Sequence, residues 1–171
     1  MGLLFTTNGM TDNDIINYYY GEAVKEITAE VLSMKNIHLW YNHVIQLPEK
    51  EKNTYLIAIL DDQVSNGGFN QYFVNSYGQF AVETVRALQI IKADTTAKIT
   101  ELAYEAVNSA EYNTAAFIEA LRLGHIEELY ETDALDEYLE ELDDKYYEYH
   151  DNLGQLLGDY LRKQCIDNHH A

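Results

Sequence analysis

Hydrophobic residues recur every three or four positions along most of this chain, the period of helices. Thr11 and Asp14 stand at capping-box spacing, and Ile16, Tyr19 or Tyr20, Ala23, Ile27 and Val31 follow as one stripe. Residues 36–46 form a shorter helical segment bearing Trp40. Pro48 opens the next helix at its first turn, where a missing N–H does no harm, and Tyr55, Leu56, Ile59, Leu60 and Val64 line its inner face. Residues 80–92 turn Val82, Val85, Leu88 and Ile91 inward. Asp94 or Thr95 caps a helix carrying Ile99, Leu102, Ala103 and Ala106. Asn113 or Thr114 caps another, with Phe117, Ile118 and Leu121 inward and an end at Gly124. Thr132 or Asp133 caps the last helical region. No alternating valine- or isoleucine-rich run marks a strand, and there is no internal repeat or linker. The expectation is an all-α, single-domain helical bundle of about eight helices. It covers residues 11–165, with residues 1–10 a loose lead-in and 166–171 a tail.

The last region has a second pattern. Leu135, Leu139, Leu142, Tyr146, Tyr149, Leu153, Leu156 and Tyr160 alternate four- and three-residue steps, a heptad seam made to face another helix. The seam is open to two uses, burial within the monomer or self-association. No acid falls on it. Glu137, Asp144 and Asp151 lie opposite the seam, flanked by Asp136, Glu140, Glu141, Asp143 and Glu148. Asp143 is also a candidate N-cap that would split the region into two helices.

Charge sharpens this picture. The formal net charge is -18 over 171 residues. Residues 101–171 hold 18 acids against 4 Lys+Arg, while residues 1–100 hold 11 against 7. Between Glu127 and Asp151 stand 12 acids and one base, Lys145. Such a field disfavours direct binding to nucleic-acid phosphate and favours basic partners. Over a continuous helix from 127 to 151 the net charge would be about one per ~3.4 Å, matching one DNA strand. The same acids also fit a plain solvated helix exterior.

Between two apolar runs sits Asn66-Gly67-Gly68-Phe69-Asn70-Gln71-Tyr72-Phe73-Val74-Asn75. The glycine pair is expected to end one helix at a positive φ and reverse the chain. Phe69, Tyr72 and Phe73 then share one face. Asn66, Gln71 and Asn75 are expected to form a buried amide network bracing the turn, with unmet helix-end groups as their partners. The pattern N-G-G-F-x-Q-Y-F-x-N resembles a bacterial family whose best-known members are DNA-mimic proteins. The resemblance runs from about Trp40 to Arg162 and includes Tyr55-Leu56-Ile57 and Leu142-Asp143-Asp144-Lys145-Tyr146-Tyr147. It implies a non-catalytic acidic protein that occupies the DNA-binding surface of a basic transcription factor or other DNA-binding protein. It also suggests a homodimer.

Catalytic and metal chemistry find little support. There is no phosphate loop, dinucleotide fingerprint or nucleophile elbow. His38 and His43 lie about 140° apart around a helix, a poor arrangement for one metal. His169 and His170 sit in the expected tail, and the carboxylates of Asp61-Asp62 and Asp143-Asp144 diverge as helix neighbours do. The expectation is no catalytic residue, no metal and no cofactor. Cys165 is the only cysteine, consistent with a reducing cytoplasm and an inert thiol. No apolar run approaches the ~18 residues of a membrane span. Gly2 and Thr6 match a loose myristoylation pattern with no second anchor behind it. The expected partner-binding residues are Asp136, Glu137, Glu140, Glu141, Asp143, Asp144, Glu148 and Asp151. The expected structural motif is Asn66, Gly67, Gly68, Phe69, Gln71, Tyr72, Phe73 and Asn75. Two other readings stay open: an immunity-type or regulatory partner of a basic protein, and an enzyme or small-molecule site at the aromatic-amide motif.

Overall fold

A computed structural model describes residues 9–131 and 133–167. Most of the expected lead-in, with Gly2 and Thr6, lies outside the described residues, as do Thr132, His169 and His170. The described residues form α1 Asp12–Val24, α2 Leu39–Ile45, α3 Glu49–Val74, a 3-10 turn Tyr77–Phe80, α4 Ala81–Ile90, α5 Asp94–Val107, α6 Thr114–Arg122, α7 Glu128–Glu131, α8 Asp133–Tyr147 and α9 Leu153–Asp167. No strand occurs among them, so the all-α expectation holds.

Helix α3 is the axis of the bundle. It packs against α1, α4, α7, α8 and α9, and it buries a broad face: Tyr55, Leu56, Ile57, Ile59, Leu60 and Val64 are all buried. That breadth, set against exposed Asp62, Ser65 and Asn66, is wider than one narrow stripe. Pro48 stands at the N-cap rather than in the first turn. An aromatic cluster locks α2 and the 3-10 turn onto α3. Trp40 Nε1 donates to the Tyr55 hydroxyl at 3.2 Å, and the Trp40 ring meets Tyr77 and Phe80 edge-on. The indole N–H thus finds its partner inside the core.

The expected capping box is present. Thr11 N–H donates to Asp14 Oδ2 at 3.0 Å and Asp14 N–H donates to Thr11 Oγ1 at 3.2 Å. Helix α1 buries Ile15, Tyr19 and Ala23, and it stops at Val24. Ile27 and Val31 lie beyond it, half-buried in an irregular segment. Helix α9 crosses close to the start of α1, where a Cβ on Gly158 would overlap the Asp12 carboxylate. Arg162 fastens that crossing through Asp12 Oδ1 at 2.6 Å and the Met10 carbonyl at 3.2 Å.

Three further expectations change. On α4 the fully buried side chains are Ala81, Thr84, Ala87 and Leu88, with Val82 and Val85 only half-buried. The N-cap of α5 is Ala93, which offers no side-chain acceptor. The heptad seam breaks after Tyr147: Tyr149 takes a positive φ of 50, and Asn152 Oδ1 accepts the Gln155 N–H at 3.1 Å to start α9. Leu139, Leu142 and Tyr146 are buried within the monomer against α3 and α5. Past the break the buried register moves to Leu153, Leu157 and Leu161, leaving Leu156 and Tyr160 half-buried.

Candidate partner-binding face

Helix α8 is where the two sequence signals meet. It runs 15 residues, roughly 22 Å of axis, with seven acids and one lysine. Its inner face is Leu139, Leu142 and Tyr146. Its outer face carries Glu137, Glu140, Glu141 and Asp144, all exposed. None of these four makes a hydrogen bond or ion pair among the described residues. They lie at i, i+3, i+4 and i+7, so they form one stripe. Glu148 is exposed just past the helix end, beside His150 Nε2 at 2.6 Å.

The other three expected site acids hold the fold as well. Asp143 is half-buried, and its Oδ1 accepts the Phe69 N–H at 2.7 Å. Asp151 Oδ2 accepts the Thr96 N–H at 2.7 Å and the Thr96 hydroxyl at 3.0 Å. Asp136 Oδ1 accepts from Asn70 Nδ2 at 2.8 Å. Asp143 and Asp151 are therefore helix caps supplied from a distance. Asp143 caps the second arm of α3, not its own helix, and Asp151 does for α5 what Ala93 cannot.

The glycine pair explains why Asp143 fits. Gly67 and Gly68 are non-helical and divide α3 into two helical arms, so the first arm ends at the glycine pair with a positive φ at Gly68, as expected. Gly68 has φ 72, and a Cβ there would overlap the Asp143 carboxylate, 2.7 Å from its Cγ. The kink leaves the Phe69 N–H without its helical acceptor, and a carboxylate is a strong one. Beyond the kink Phe69, Tyr72 and Phe73 are fully buried, as the aromatic face predicts. Phe69 meets Tyr146 edge-on at 5.9 Å. Tyr146 donates to Asp61 Oδ1 at 2.8 Å, and Tyr147 donates to the Val64 carbonyl at 2.6 Å.

The amides form a network, with a different hub from the expected one. Buried Gln63 accepts from Asn75 Nδ2 at 2.8 Å and from Gln71 Nε2 at 3.3 Å, and donates to Asp62 Oδ2 at 2.9 Å. Asn66 is exposed and donates to the Asp62 carbonyl at 2.9 Å. The partners of Gln71 and Asn75 are thus a side-chain carbonyl rather than helix-end groups. Gln63 gave no sequence signal, because it stands among other polar residues, Asp61, Asp62, Ser65 and Asn66.

Asp143 has an unusual proton affinity. Burial pushes its carboxyl up to about 6, against the opposing pull of the Phe69 N–H, and Asp144 and Glu140 push the same way as burial. An unfolded aspartate titrates near ~3.9. The native state therefore holds a proton between about pH 4 and 6 that the unfolded chain has lost. The stability this group contributes is fully present below about pH 4 and falls away as pH rises through about 6. Asp143→Asn keeps an oxygen acceptor for Phe69 and removes that titration. The expected result is a melting-temperature difference between variant and wild type that grows in the variant's favour across this window. Partial solvent exposure limits it to a few degrees. A difference that stays constant from pH 3.5 to 7 would refute the assignment.

Two pieces of the resemblance, the Asn66–Asn75 motif and Leu142–Tyr147, thus meet at the α3 kink, while Trp40 and Tyr55 pair in the aromatic cluster on the first arm of α3. A family comparison agrees: the family model described as DMP19-like protein matches residues 45–164. The chain belongs to the DMP19-like protein family. The family is known for its DNA mimics, binding proteins without catalytic activity, and most of its members are uncharacterised. Trp40 lies just outside the matched residues. No curated protein and no solved structure matches the chain. Within this DMP19-like chain no group of three or more His, Cys, Asp and Glu among the described residues could hold a metal. His38 Nε2 sits 3.0 Å from Glu119 Oε1, and Cys165 Sγ sits 3.2 Å from the Tyr19 hydroxyl. No helix among the described residues is long and apolar enough to cross a membrane.

Proposed function

We propose that this protein acts in the cytoplasm as a DNA mimic, presenting the outer stripe of α8 to the DNA-binding surface of a basic protein. The observation that carries the reading is the stripe itself. Glu137 and Glu141, and Glu140 and Asp144, are like-charge pairs at i, i+4. Each such pair costs a helix about 0.2–0.5 kcal/mol. A merely solvated face gains more from interleaved lysines, and α8 has only Lys145. The helix thus carries a repulsion that a basic partner relieves. Its net charge of -6 over about 22 Å is one per ~4 Å, near the ~3.4 Å of one DNA strand. The helix is shorter than the 25-residue span the sequence suggested, and the charge density survives the shortening.

The test uses the immobilised full chain and lysate of the native cell, with elution by a salt gradient and by excess duplex DNA. The expected capture is a DNA-binding protein that duplex DNA displaces. Its affinity should fall about tenfold or more between 50 and 200 mM salt. A captured protein indifferent to DNA and to salt would overturn the mimic reading and favour shape-specific recognition instead.

A further inference from the structure

We infer that the groove between α1, α3 and α9 is a receptor for one arginine side chain of the basic partner, which deepens the mimic reading and rests on it for the identity of that partner. The groove has a volume of about 480 Å³. Its floor is apolar, with Ile57 and Leu157 buried beneath it. Asp61 and Asp62 stand on its wall, with Ser65 and Asn66 beside them. An apolar floor under a carboxylate wall suits a long aliphatic stem ending in a cation.

The carboxylates are oriented before any ligand arrives. Tyr146 donates to Asp61 Oδ1. Gln63 holds Asp62 Oδ2 at 2.9 Å, and Asn66 Nδ2 reaches Asp62 Oδ1 at 3.3 Å. Among the described residues no lysine, arginine or histidine pairs with either one. The two carboxylates diverge as neighbours on α3, so a guanidinium meets one oriented carboxylate at a time, and its forked donors suit that acceptor better than a point-charge ammonium.

The groove lies beside the C-terminal end of α8. Tyr146, on the inner face of α8, bonds Asp61 on the groove wall, and exposed Tyr149, just past the helix, has its hydroxyl 3.2 Å from Ser65 Oγ. Gly154 lines the groove, and an added Cβ there would meet only Asn152 Oδ1 at 3.7 Å, so the position has room for a larger side chain.

The experiment is a titration of the ¹⁵N-labelled full chain with N-acetyl-arginine amide, beside its citrulline and lysine counterparts. Saturable shifts are expected at the Ser65, Asn66 and Gly154 amides with arginine, and none with neutral citrulline. Asp62→Asn, which keeps an acceptor for Gln63, should weaken arginine binding about tenfold. Gly154→Leu should block the groove with the charge intact. Scattered, non-saturating shifts, or arginine binding unchanged in both variants, would overturn the site. Equal binding of the lysine compound would overturn the guanidinium assignment. Lysine reversal of the α8 stripe should leave the arginine shifts in place. Failure of the mimic reading therefore shows in the lysate capture, and failure of the groove shows in this titration.

Discussion

Gly68→Ala should lower the melting temperature by about 10 °C. Two costs act at once. An alanine at φ 72 sits in the left-handed region at about 1–2 kcal/mol. Its methyl would also overlap the Asp143 carboxylate, and crowding of this kind costs about 1–3 kcal/mol. Pushing Asp143 away strands the Phe69 N–H, which adds roughly another 1 kcal/mol. At about 2–4 °C per kcal/mol for a chain of this size, the sum is a large shift. A thermal melt followed by circular dichroism reads it directly. The cause is separable from general strain by a second substitution. Asp143→Ala should cost less in the Gly68→Ala background than alone, with a coupling of about 1 kcal/mol or more. Strict additivity would mean that the glycine does not make room for the carboxylate.

Simultaneous replacement of Glu137, Glu140, Glu141 and Asp144 by lysine should reduce affinity for the captured DNA-binding protein by about 100-fold or more. Each substitution exchanges an attraction for a repulsion on the same surface. The fold should survive, since these four carboxylates make no hydrogen bond or ion pair among the described residues. The melt is expected to stay within a few degrees of wild type. Full affinity in a folded variant would refute α8 as the binding face. Asp143 and Asp151 are left out because they are caps. Reversing them would unfold α3 and α5 locally and would confuse loss of structure with loss of charge.

The helices were legible because their signals are local. Thr11 with Asp14 and Asn113 with Ala116 act within one turn, and Phe69, Tyr72 and Phe73 share a face by spacing alone. The outward acids of α8 were legible for the same reason. The two caps from afar were not. Asp143 and Phe69 are 74 residues apart, and Asp151 and Thr96 are 55 apart, so no window of sequence contains both partners. The break in the last region was hidden by a coincidence of count. The three-four alternation continues unbroken through Tyr149 and Leu153, although the backbone leaves the helix between them. The signal was there in Asp151-Asn152, two residues that favour caps over helix interiors. The resemblance identified which residues belong together without saying why, and the carboxylate over the glycine pair is a physical reason.

Those distant caps have a consequence for how the molecule is made. During synthesis the kink at Gly67-Gly68 and the start of α5 emerge long before residues 143 and 151 follow. Until then the exposed N–H groups of both helix starts are served by water, and Phe69 has no cover from Tyr146 of α8. The last third of the chain therefore acts on the nascent protein as a clasp. It completes two earlier helices in the step that erects the acidic surface, so a half-made copy offers no finished decoy to a DNA-binding protein.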